Sequence, residues 1–286
     1  MKFSTVGVVG AGNIGTGVVT DLVIHGLNAI VADISDAALR RAQSDVLKNI
    51  RFAPMFSKSL PRVTPEDAMR RMTFTRDLKD LAGCEIIIEN VPERWEIKHP
   101  IYEQLDALMP AGVCFGANTS CLSITRIAAV THRPAQVIGL HVMNPVHLKS
   151  TVEVIRGFHT SDDTVAKLQA LFDQLRKQAI IVEDSPGFVS NRISHVFMNE
   201  AAFVLQDQVS TAEKIDQIFK QCFGHKMGPL ETADLIGLDT VVNSLDVLYE
   251  SFHDPKYRCC PLLRKLVQAG HLGRKTGRGF HTYPEA

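Results

Sequence analysis

The sequence lacks the features that mark several large classes of protein. Its 31 basic and 31 acidic side chains leave no formal net charge, whereas proteins that bind nucleic acids or membrane surfaces usually carry a clustered basic excess. No apolar run is long enough to cross a bilayer. We find no internal repeats and no low-complexity segment. The composition therefore predicts a globular protein that binds neither nucleic acid nor membranes.

Cysteine use and the N-terminal sequence exclude further classes. The six cysteines form no Cys-x-x-Cys motif and no Cys/His spacing typical of a metal site. The neighbouring residues Cys259 and Cys260 are interpreted as incidental. The N-terminus leads directly into strand-like sequence, without the charged and apolar regions of a signal peptide. We expect reduced thiols, a cytoplasmic location and no bound metal.

A glycine-rich turn follows the first apolar strand. Glycines at positions 10, 12 and 15 are followed by a predicted helix that ends near His25, and a second apolar run ends at Asp33. This order is typical of a dinucleotide site, where the phosphates meet the helix N-terminus. The alternative is a glycine-rich turn that binds nothing, and the flanking strands and the acid argue against it. The predicted cofactor contacts are Gly10, Gly12, Asn13, Ile14, Gly15 and Asp33.

The acid at the end of the second strand predicts which cofactor binds. A carboxylate at Asp33 would accept hydrogen bonds from the ribose hydroxyls and would repel a 2′-phosphate. The three residues that follow it include no arginine, although Arg40 and Arg41 lie one or two helical turns further on. The expected cofactor is NAD rather than NADP.

The segment between this acid and the next strand is rich in basic residues. From Ser35 to about Met69 we predict a long helix, a bend at Pro54 and a second helix that begins at Thr64. The basic side chains could hold an anionic part of a substrate. A solvated helix face explains them equally well.

Two further apolar runs, residues 84–89 and 113–118, are predicted strands of the same sheet. The carboxyl ends of parallel strands are where such sheets bind ligands. Asn118 ends the second run and Ser120 follows it, so both are candidate contacts for cofactor and substrate. Capping of the next helix falls more naturally to Ser123, which leaves Ser120 available to a ligand.

His141 and Glu153 form the candidate acid/base pair. His141 ends the predicted strand that begins at Val137, and Glu153 lies inside the apolar run Thr151–Ile155. A carboxylate on one ring nitrogen of a histidine fixes its tautomer and stabilises the imidazolium that forms when the ring takes a proton. The alternative is an ordinary strand-end histidine.

The pattern changes from mixed to helical near Pro186. Residues 162–176 form a predicted amphipathic helix and residues 179–183 the last strand, after which helical periodicity dominates. We predict an α/β protein with a Rossmann-type dinucleotide-binding domain, 1–184, and a smaller all-α domain, 185–286. Asn191 begins the first helix of that second domain, where its amide could face the cleft or satisfy local backbone.

The chain resembles the L-3-hydroxyacyl-CoA dehydrogenase family over nearly its whole length. The motifs that carry the resemblance are ordered along the chain: Gly10 to Gly15, Asp33, Glu93 with Lys98, Asn118-Thr-Ser120, His141 with Asn144-Pro, Val152-Glu153, Pro186-Gly-Phe, Asn191-Arg192, Met227-Gly-Pro, Asp234 to Asp239, and Gly273 to Phe280.

The resemblance implies an NAD-dependent dehydrogenase that oxidises a 3-hydroxyacyl thioester. It implies that His141 is the catalytic base with Glu153 as its partner, and that Ser120 and Asn191 hold the substrate oxygen. The helical second domain is implied to form a homodimer and to close over the substrate. The residues implied to help bind NAD are Glu93, Lys98, Asn144 and Lys275.

Three departures from the family pattern concern the substrate. Val142 and Met143 stand where two phenylalanines are usual, the run that begins at His147 is altered, and Asn49 replaces a CoA-contacting serine in a shortened arm. The first alternative is therefore a dehydrogenase for hydroxyacyl groups on an acyl carrier protein, as in polyketide extender-unit supply. Sugar-acid and carnitine dehydrogenases share the framework. A catalytically inactive NAD-binding protein is a further alternative, which the intact acid/base residues disfavour.

Overall fold

A computed structural model describes residues 1–284. The chain forms two compact units that divide between Ser185 and Pro186. The first unit contains one eight-stranded sheet with helices, and the second contains helices. The predicted α/β fold with a helical second part is confirmed. Within the described residues, no helix is both long and apolar enough to span a membrane.

The sheet of the first unit is mostly parallel. Its strand order is β3-β2-β1-β4-β5-β6-β7-β8. The six strands from β3 to β6 in this order run parallel, β7 pairs antiparallel with β6, and β8 runs parallel to β7. The strands are β1 Thr5–Val9, β2 Asn28–Ala32, β3 Met72–Thr75, β4 Ile86–Glu89, β5 Cys114–Asn118, β6 Val137–His141, β7 Thr151–Arg156 and β8 Gln178–Glu183.

The central strands are continuous apolar runs because helices cover the sheet. Every residue of β4 and of β6 is buried, as expected for parallel strands covered on both faces. The chain order along the sheet reverses between β1 and β4, and open sheets of this kind bind ligands outside the strand ends at such a point. This topology places the ends of β1, β2, β4 and β5 around one crevice.

Four of the six helices of the first unit begin at a capping side chain. Hydroxyls of Ser35, Thr64 and Ser123 each accept a hydrogen bond from a first-turn amide, and the last of these was predicted. The helices are α1 Asn13–Ile24, α2 Asp36–Phe56, α3 Pro65–Arg70, α4 Trp95–Leu108, α5 Ile124–Ala128 and α6 Asp162–Gln174.

Two expectations about the arm after Asp33 require correction. The predicted bend at Pro54 is wrong, because α2 continues through it to Phe56. Near the end of a helix, the missing amide of a proline removes a single hydrogen bond, which local packing can tolerate. The sequence reading also missed β3, a four-residue strand at the edge of the sheet with only Met72 buried. So short and exposed a run has little periodicity.

The second unit is built around its own apolar core. Two buried carboxylates fix its loops: Asp216 accepts hydrogen bonds from the first-turn amides of Leu230 and Glu231, and Asp234 accepts from the amides of Phe280 and His281. The helices are α7 Ser190–Gln206, α8 Ala212–Cys222, α9 Pro229–Ile236, α10 Leu238–Phe252 and α11 Pro261–Gln268.

Candidate active site

The glycine turn joins β1 to α1 in the geometry that a dinucleotide requires. Gly10 has a φ of +93°, and a Cβ added at Gly15 would lie 1.9 Å from the Gly10 carbonyl oxygen. Both positions therefore need glycine for the turn and for close helix packing. A Cβ at Gly12 would meet nothing within 4 Å. The backbone at Gly12 is thus open where a pyrophosphate would approach the start of α1.

Asp33 is fixed by the same turn. Its Oδ2 atom accepts a hydrogen bond from the Ala11 amide at 2.8 Å, and its Oδ1 atom accepts one from the Ser35 amide, also at 2.8 Å. The carboxylate is therefore held at the carboxyl end of β2 before any ligand arrives. Its position fits the ribose-binding role expected for NAD.

A cleft of about 1640 Å³ lies at the carboxyl ends of the parallel strands. This volume exceeds the roughly 300–1,000 Å³ typical of small-molecule pockets, so the cleft can accommodate an extended ligand. Most predicted cofactor residues of the first unit line it, which supports the fit to NAD. These are Gly10, Gly12, Asn13, Ile14, Asp33, Glu93, Asn118 and Ser120.

Lys98 lies beneath the cleft with none of its side chain exposed. Its ammonium donates to both carboxylate oxygens of Glu89, at 2.8 and 2.9 Å, and to the backbone oxygen of Asn118 at 2.7 Å. The Tyr102 hydroxyl donates to Glu89 at 2.9 Å, and burial raises the pKa of Tyr102 well above its usual value. All three ammonium protons are thus engaged within the protein. Direct contact of Lys98 with NAD stays a prediction.

The sequence reading missed Glu89 and its role in this cluster. Glu89 was treated as the last residue of a buried strand. The available signal was a charged residue at the end of an apolar run with a lysine nine residues later, since buried charges are normally paired.

Glu93 fixes the loop that follows β5. Its Oε1 atom accepts hydrogen bonds from the amides of Ser120 at 2.8 Å and Cys121 at 3.1 Å, and from the Thr119 hydroxyl. Burial, followed by the charge of Glu93, raises the pKa of the Cys121 thiol to about 12. A raised pKa disfavours the thiolate, which is the nucleophilic form of a cysteine. The carboxylate positions Ser120 at the cleft.

The side chain of Asn118 connects two other loops at the cleft. Its amide nitrogen donates to the Asn90 side-chain oxygen at 3.0 Å, and its own side-chain oxygen accepts from the Val142 amide at 3.3 Å. Asn90 follows β4 and Val142 follows β6. Asn118 thus links the residues after three neighbouring strands.

His141 and Glu153 meet because β6 and β7 are antiparallel. The two residues are direct partners in the β6–β7 register, and Nδ1 of His141 lies 2.9 Å from Oε2 of Glu153. Their side chains are 9% and 10% exposed. A carboxylate at Nδ1 favours the tautomer with its proton there, so Nε2 is the nitrogen of the neutral ring that can accept a proton. The pair has the geometry of a general base with an orienting acid.

The remaining predicted residues are Asn144, Gly15, Asn191 and Lys275. Asn144 is exposed in the loop after β6, and Gly15 packs beneath the turn. Asn191 lies in the first turn of α7, and Lys275 forms an ion pair of 2.6 Å with Asp239; both belong to the second unit. The roles assigned to these side chains stay predictions.

Comparisons with known proteins cover both units. Residues 5–185 match the family model described as 3-hydroxyacyl-CoA dehydrogenase, NAD binding domain. Residues 187–283 match that described as 3-hydroxyacyl-CoA dehydrogenase, C-terminal domain.

Individual relatives match over almost their full lengths. A 3-hydroxybutyryl-CoA dehydrogenase of Bradyrhizobium diazoefficiens is 42% identical, over 97% of this chain and 94% of that protein. A probable 3-hydroxybutyryl-CoA dehydrogenase of Deinococcus radiodurans is 41% identical, over 99% of this chain and 100% of that protein. The crystal structure of (S)-3-hydroxybutyryl-CoA dehydrogenase from Ralstonia eutropha is similar with a TM-score of 0.94 and 42% identity, over 99% and 100% of the two chains.

We expect the cofactor preference to depend on the charge of Asp33. The unmodified protein should strongly prefer NAD to NADP in kcat/KM. Asp33→Asn keeps the side chain's shape but removes the repulsion of a 2′-phosphate, so the ratio should shift toward NADP by roughly tenfold, which corresponds to about 1.4 kcal/mol. Steady-state kinetics with both cofactors measure this. Equal efficiency with both cofactors before mutation would contradict the role of Asp33.

Proposed function

Since this chain belongs to the 3-hydroxyacyl-CoA dehydrogenase family, we propose that it oxidises a short-chain 3-hydroxyacyl-CoA to the 3-oxoacyl-CoA, with His141 as the base. The observation that carries the proposal is the buried 2.9 Å contact between His141 and Glu153. His141 directly precedes Val142 in the chain, and Val142 lines the cofactor cleft. When bound, NAD supplies the two-electron acceptor.

His141 and Glu153, on β6 and β7, are proposed to accept the hydroxyl proton of the substrate and to stabilise the charge that results. Nε2 of His141 takes the hydroxyl proton of the substrate, which converts the ring to imidazolium. Glu153 stabilises that cation through Nδ1 and keeps the ring plane fixed. Because both side chains are nearly buried, their attraction is weakly screened by solvent.

The substrate oxygen is oriented by groups placed before binding. Ser120 lines the cleft, and its amide is fixed by Glu93, so its hydroxyl is proposed to donate to or accept from the reacting oxygen. Asn191, in the first turn of α7, is proposed to supply a second hydrogen bond because it matches the family motif. Groups ordered in advance lose little entropy when the reaction geometry forms.

The carrier is proposed to be CoA. The three relatives described above are named as 3-hydroxybutyryl-CoA enzymes, which favours CoA over a carrier protein, a sugar acid or carnitine. Helix α2 presents Arg41, Asp45 and Asn49 to the cleft. Asn49 also donates to the Thr20 hydroxyl at 3.3 Å. Lys48, on the same helix, is exposed. Its ammonium is proposed to bind a phosphate of the carrier.

The second unit is proposed to form a homodimer. It exposes large apolar side chains on α7 and at the end of α8: Ile193 is 65% exposed, Ile218 49% and Phe223 65%. Phe197, Phe219 and Phe223 form a chain of ring contacts beside them. Exposed apolar side chains on neighbouring helices support an interface at this part of the unit.

The six free thiols fit a reducing, cytoplasmic setting, which is also part of the proposal.

The acid/base assignment is tested by removing the base or its partner's charge. His141→Ala should lower kcat by roughly 10²–10⁴-fold, the usual contribution of a positioned base. Glu153→Gln keeps the shape and should also lower kcat strongly, because it no longer stabilises imidazolium. NADH affinity, measured by fluorescence titration, should change little in either variant. Near-normal turnover in both variants would refute the assignment.

The carrier is tested with 3-hydroxybutyryl thioesters of CoA, pantetheine and an acyl carrier protein. We expect the CoA form to be preferred. Lys48→Glu should raise KM for the CoA form about fivefold, equivalent to about 1 kcal/mol for an exposed ion pair, and should leave the pantetheine form unaffected. Lys265→Glu, at an exposed position of α11, is the matched control. A carrier-protein form that outperforms both others would transfer the proposal to that alternative.

The dimer is tested by a charge within the apolar surface. Phe223→Glu should convert a dimer to monomers in sedimentation velocity, because it buries an unpaired carboxylate at the interface. Val209→Glu is the control, since Val209 is 73% exposed and lies before α8, at the opposite end from Phe223. The proposal fails if the unmodified protein is monomeric, or if both variants behave alike.

A further inference from the structure

The first unit contains a second buried group of ionisable side chains, which the proton transfer does not use. The group consists of Asp21, His25, His147 and Lys177. Asp21, His147 and Lys177 are 2%, 8% and 5% exposed. They come from three segments: helix α1, the connection between β6 and β7, and the residue before β8. Buried charge at a junction of segments suggests a role in holding them together.

Lys177 is the centre of the group. Its ammonium donates to the backbone oxygen of Val146 at 2.8 Å and to that of Lys149. The same nitrogen lies 3.2 Å from Oδ2 of Asp21. One cation thus binds the start of the short 3-10 helix Val146–Leu148 and the residue that follows this helix, and it connects both to α1.

The same segment also packs against helix α1 at a glycine. A Cβ added at Gly17 would lie 2.8 Å from Cγ2 of Val146, so the segment packs directly against the helix backbone. Val146 is 4% exposed and belongs to the main apolar core. Apolar packing and the Asp21–Lys177 ion pair therefore act on the same few residues.

The segment that is held, residues 142–150, is the connection between His141 and Glu153. Where the chain leaves β6 and enters β7 determines how the two side chains face each other. At its start, Val142 lines the cofactor cleft and its amide donates to the Asn118 side chain at 3.3 Å. Helix α1 begins at the glycine turn of the same cleft. The connection is thus fixed to the helix that begins at the cofactor turn, and its two ends lead into the strands that carry the acid/base pair.

His147 does not compete with Lys177 for the charge of Asp21. Burial lowers the pKa of His147, and the nearby Lys177 lowers it further while Asp21 opposes this. The Nδ1 atom of His147 has no hydrogen-bond partner among the described residues. Nδ1 of His25 lies 2.9 Å from the Asp21 backbone oxygen and 3.3 Å from Oδ1 of the same residue. Lys177 and His25 are therefore the basic groups in contact with Asp21, and of these two Lys177 also binds the connection between β6 and β7.

We propose that Lys177 and Asp21 are positioning residues for the reaction: they fix the connection between His141 and Glu153 to helix α1, so that the acid/base pair and the cofactor turn keep one arrangement. The proposal rests on the proposed role of His141. A displacement of about 1 Å at reacting groups can cost roughly 10²-fold in rate. The ion pair thus acts through geometry, without touching the substrate.

The test separates positioning from simple charge compensation. Lys177→Met removes the ammonium and leaves the buried Asp21 without its lysine partner, so it should lower both thermal stability and kcat. The double variant Asp21→Asn with Lys177→Met removes both charges and should recover most of the stability. The double variant cannot donate hydrogen bonds to the backbone oxygens of Val146 and Lys149. Its kcat should therefore stay roughly 10- to 100-fold below that of the unmodified protein. The matched control is Lys167→Met, whose ammonium pairs with Asp163 on the surface of α6.

Two readouts accompany kcat. Affinity for NADH should stay within about twofold, because the glycine turn itself is unchanged. Amide hydrogen exchange across residues 142–150 should be faster in the double variant than in the control. Recovery of normal kcat in the double variant, or unchanged exchange in this segment, would overturn the positioning role. Absence of 3-hydroxyacyl-CoA oxidation by the unmodified protein would instead refute the proposed function, and exchange would still report on the connection.

Discussion

The antiparallel pairing of β6 with β7 is the constraint on which the candidate active site depends. Strands β1 to β6 run parallel, and such a sheet gathers strand ends at one edge. The antiparallel register places Glu153, an internal residue of β7, opposite His141, the last residue of β6. This register brings His141 to 2.9 Å from Glu153. A shift of one residue would turn Glu153 to the opposite face of the sheet, so the acid/base pair is a property of the register.

The parallel part of the sheet supplies the other half of the site. Its strand ends form the cleft, but backbone pairing alone does not hold the loops that follow the strands. Polar side chains do so from below and beside the cleft: Lys98 bonds to the Asn118 backbone, Glu93 to the amides of Ser120 and Cys121. Each hydrogen bond contributes modestly to stability, about 1 kcal/mol on average. Together they restrict loops that would otherwise be mobile without a ligand.

Features that depend on a few neighbouring residues could be predicted from the sequence, and contacts between residues far apart in the chain could not. The glycine turn, the acid after β2 and the helix caps are local patterns, and local patterns predicted the fold class and NAD. Family motifs pointed to the oxidation of a 3-hydroxyacyl thioester. The contacts of Lys98 with Glu89, of Glu93 with Ser120 and of Lys177 with Val146 join residues 9, 27 and 31 positions apart. Periodicity cannot reveal such contacts. The edge strand β3 was missed for the opposite reason, because its four residues carry too little pattern.

Two buried ion pairs, Glu89–Lys98 and Asp21–Lys177, lie in the first unit. Burying such pairs is a poor way to gain stability, because desolvation opposes the attraction and an apolar pair of similar size often does as well. What a lysine offers in addition is three donors on one flexible side chain. In both pairs the carboxylate accepts some of these N–H donors, and the remaining donors bind backbone oxygens. These oxygens belong to Asn118 in the first pair and to Val146 and Lys149 in the second. An apolar replacement would fill the space yet leave those carbonyls unrestrained. The two pairs therefore restrain the backbone at the ends of β5 and β6. These are the places where a dehydrogenase needs a fixed cofactor cleft and a fixed base.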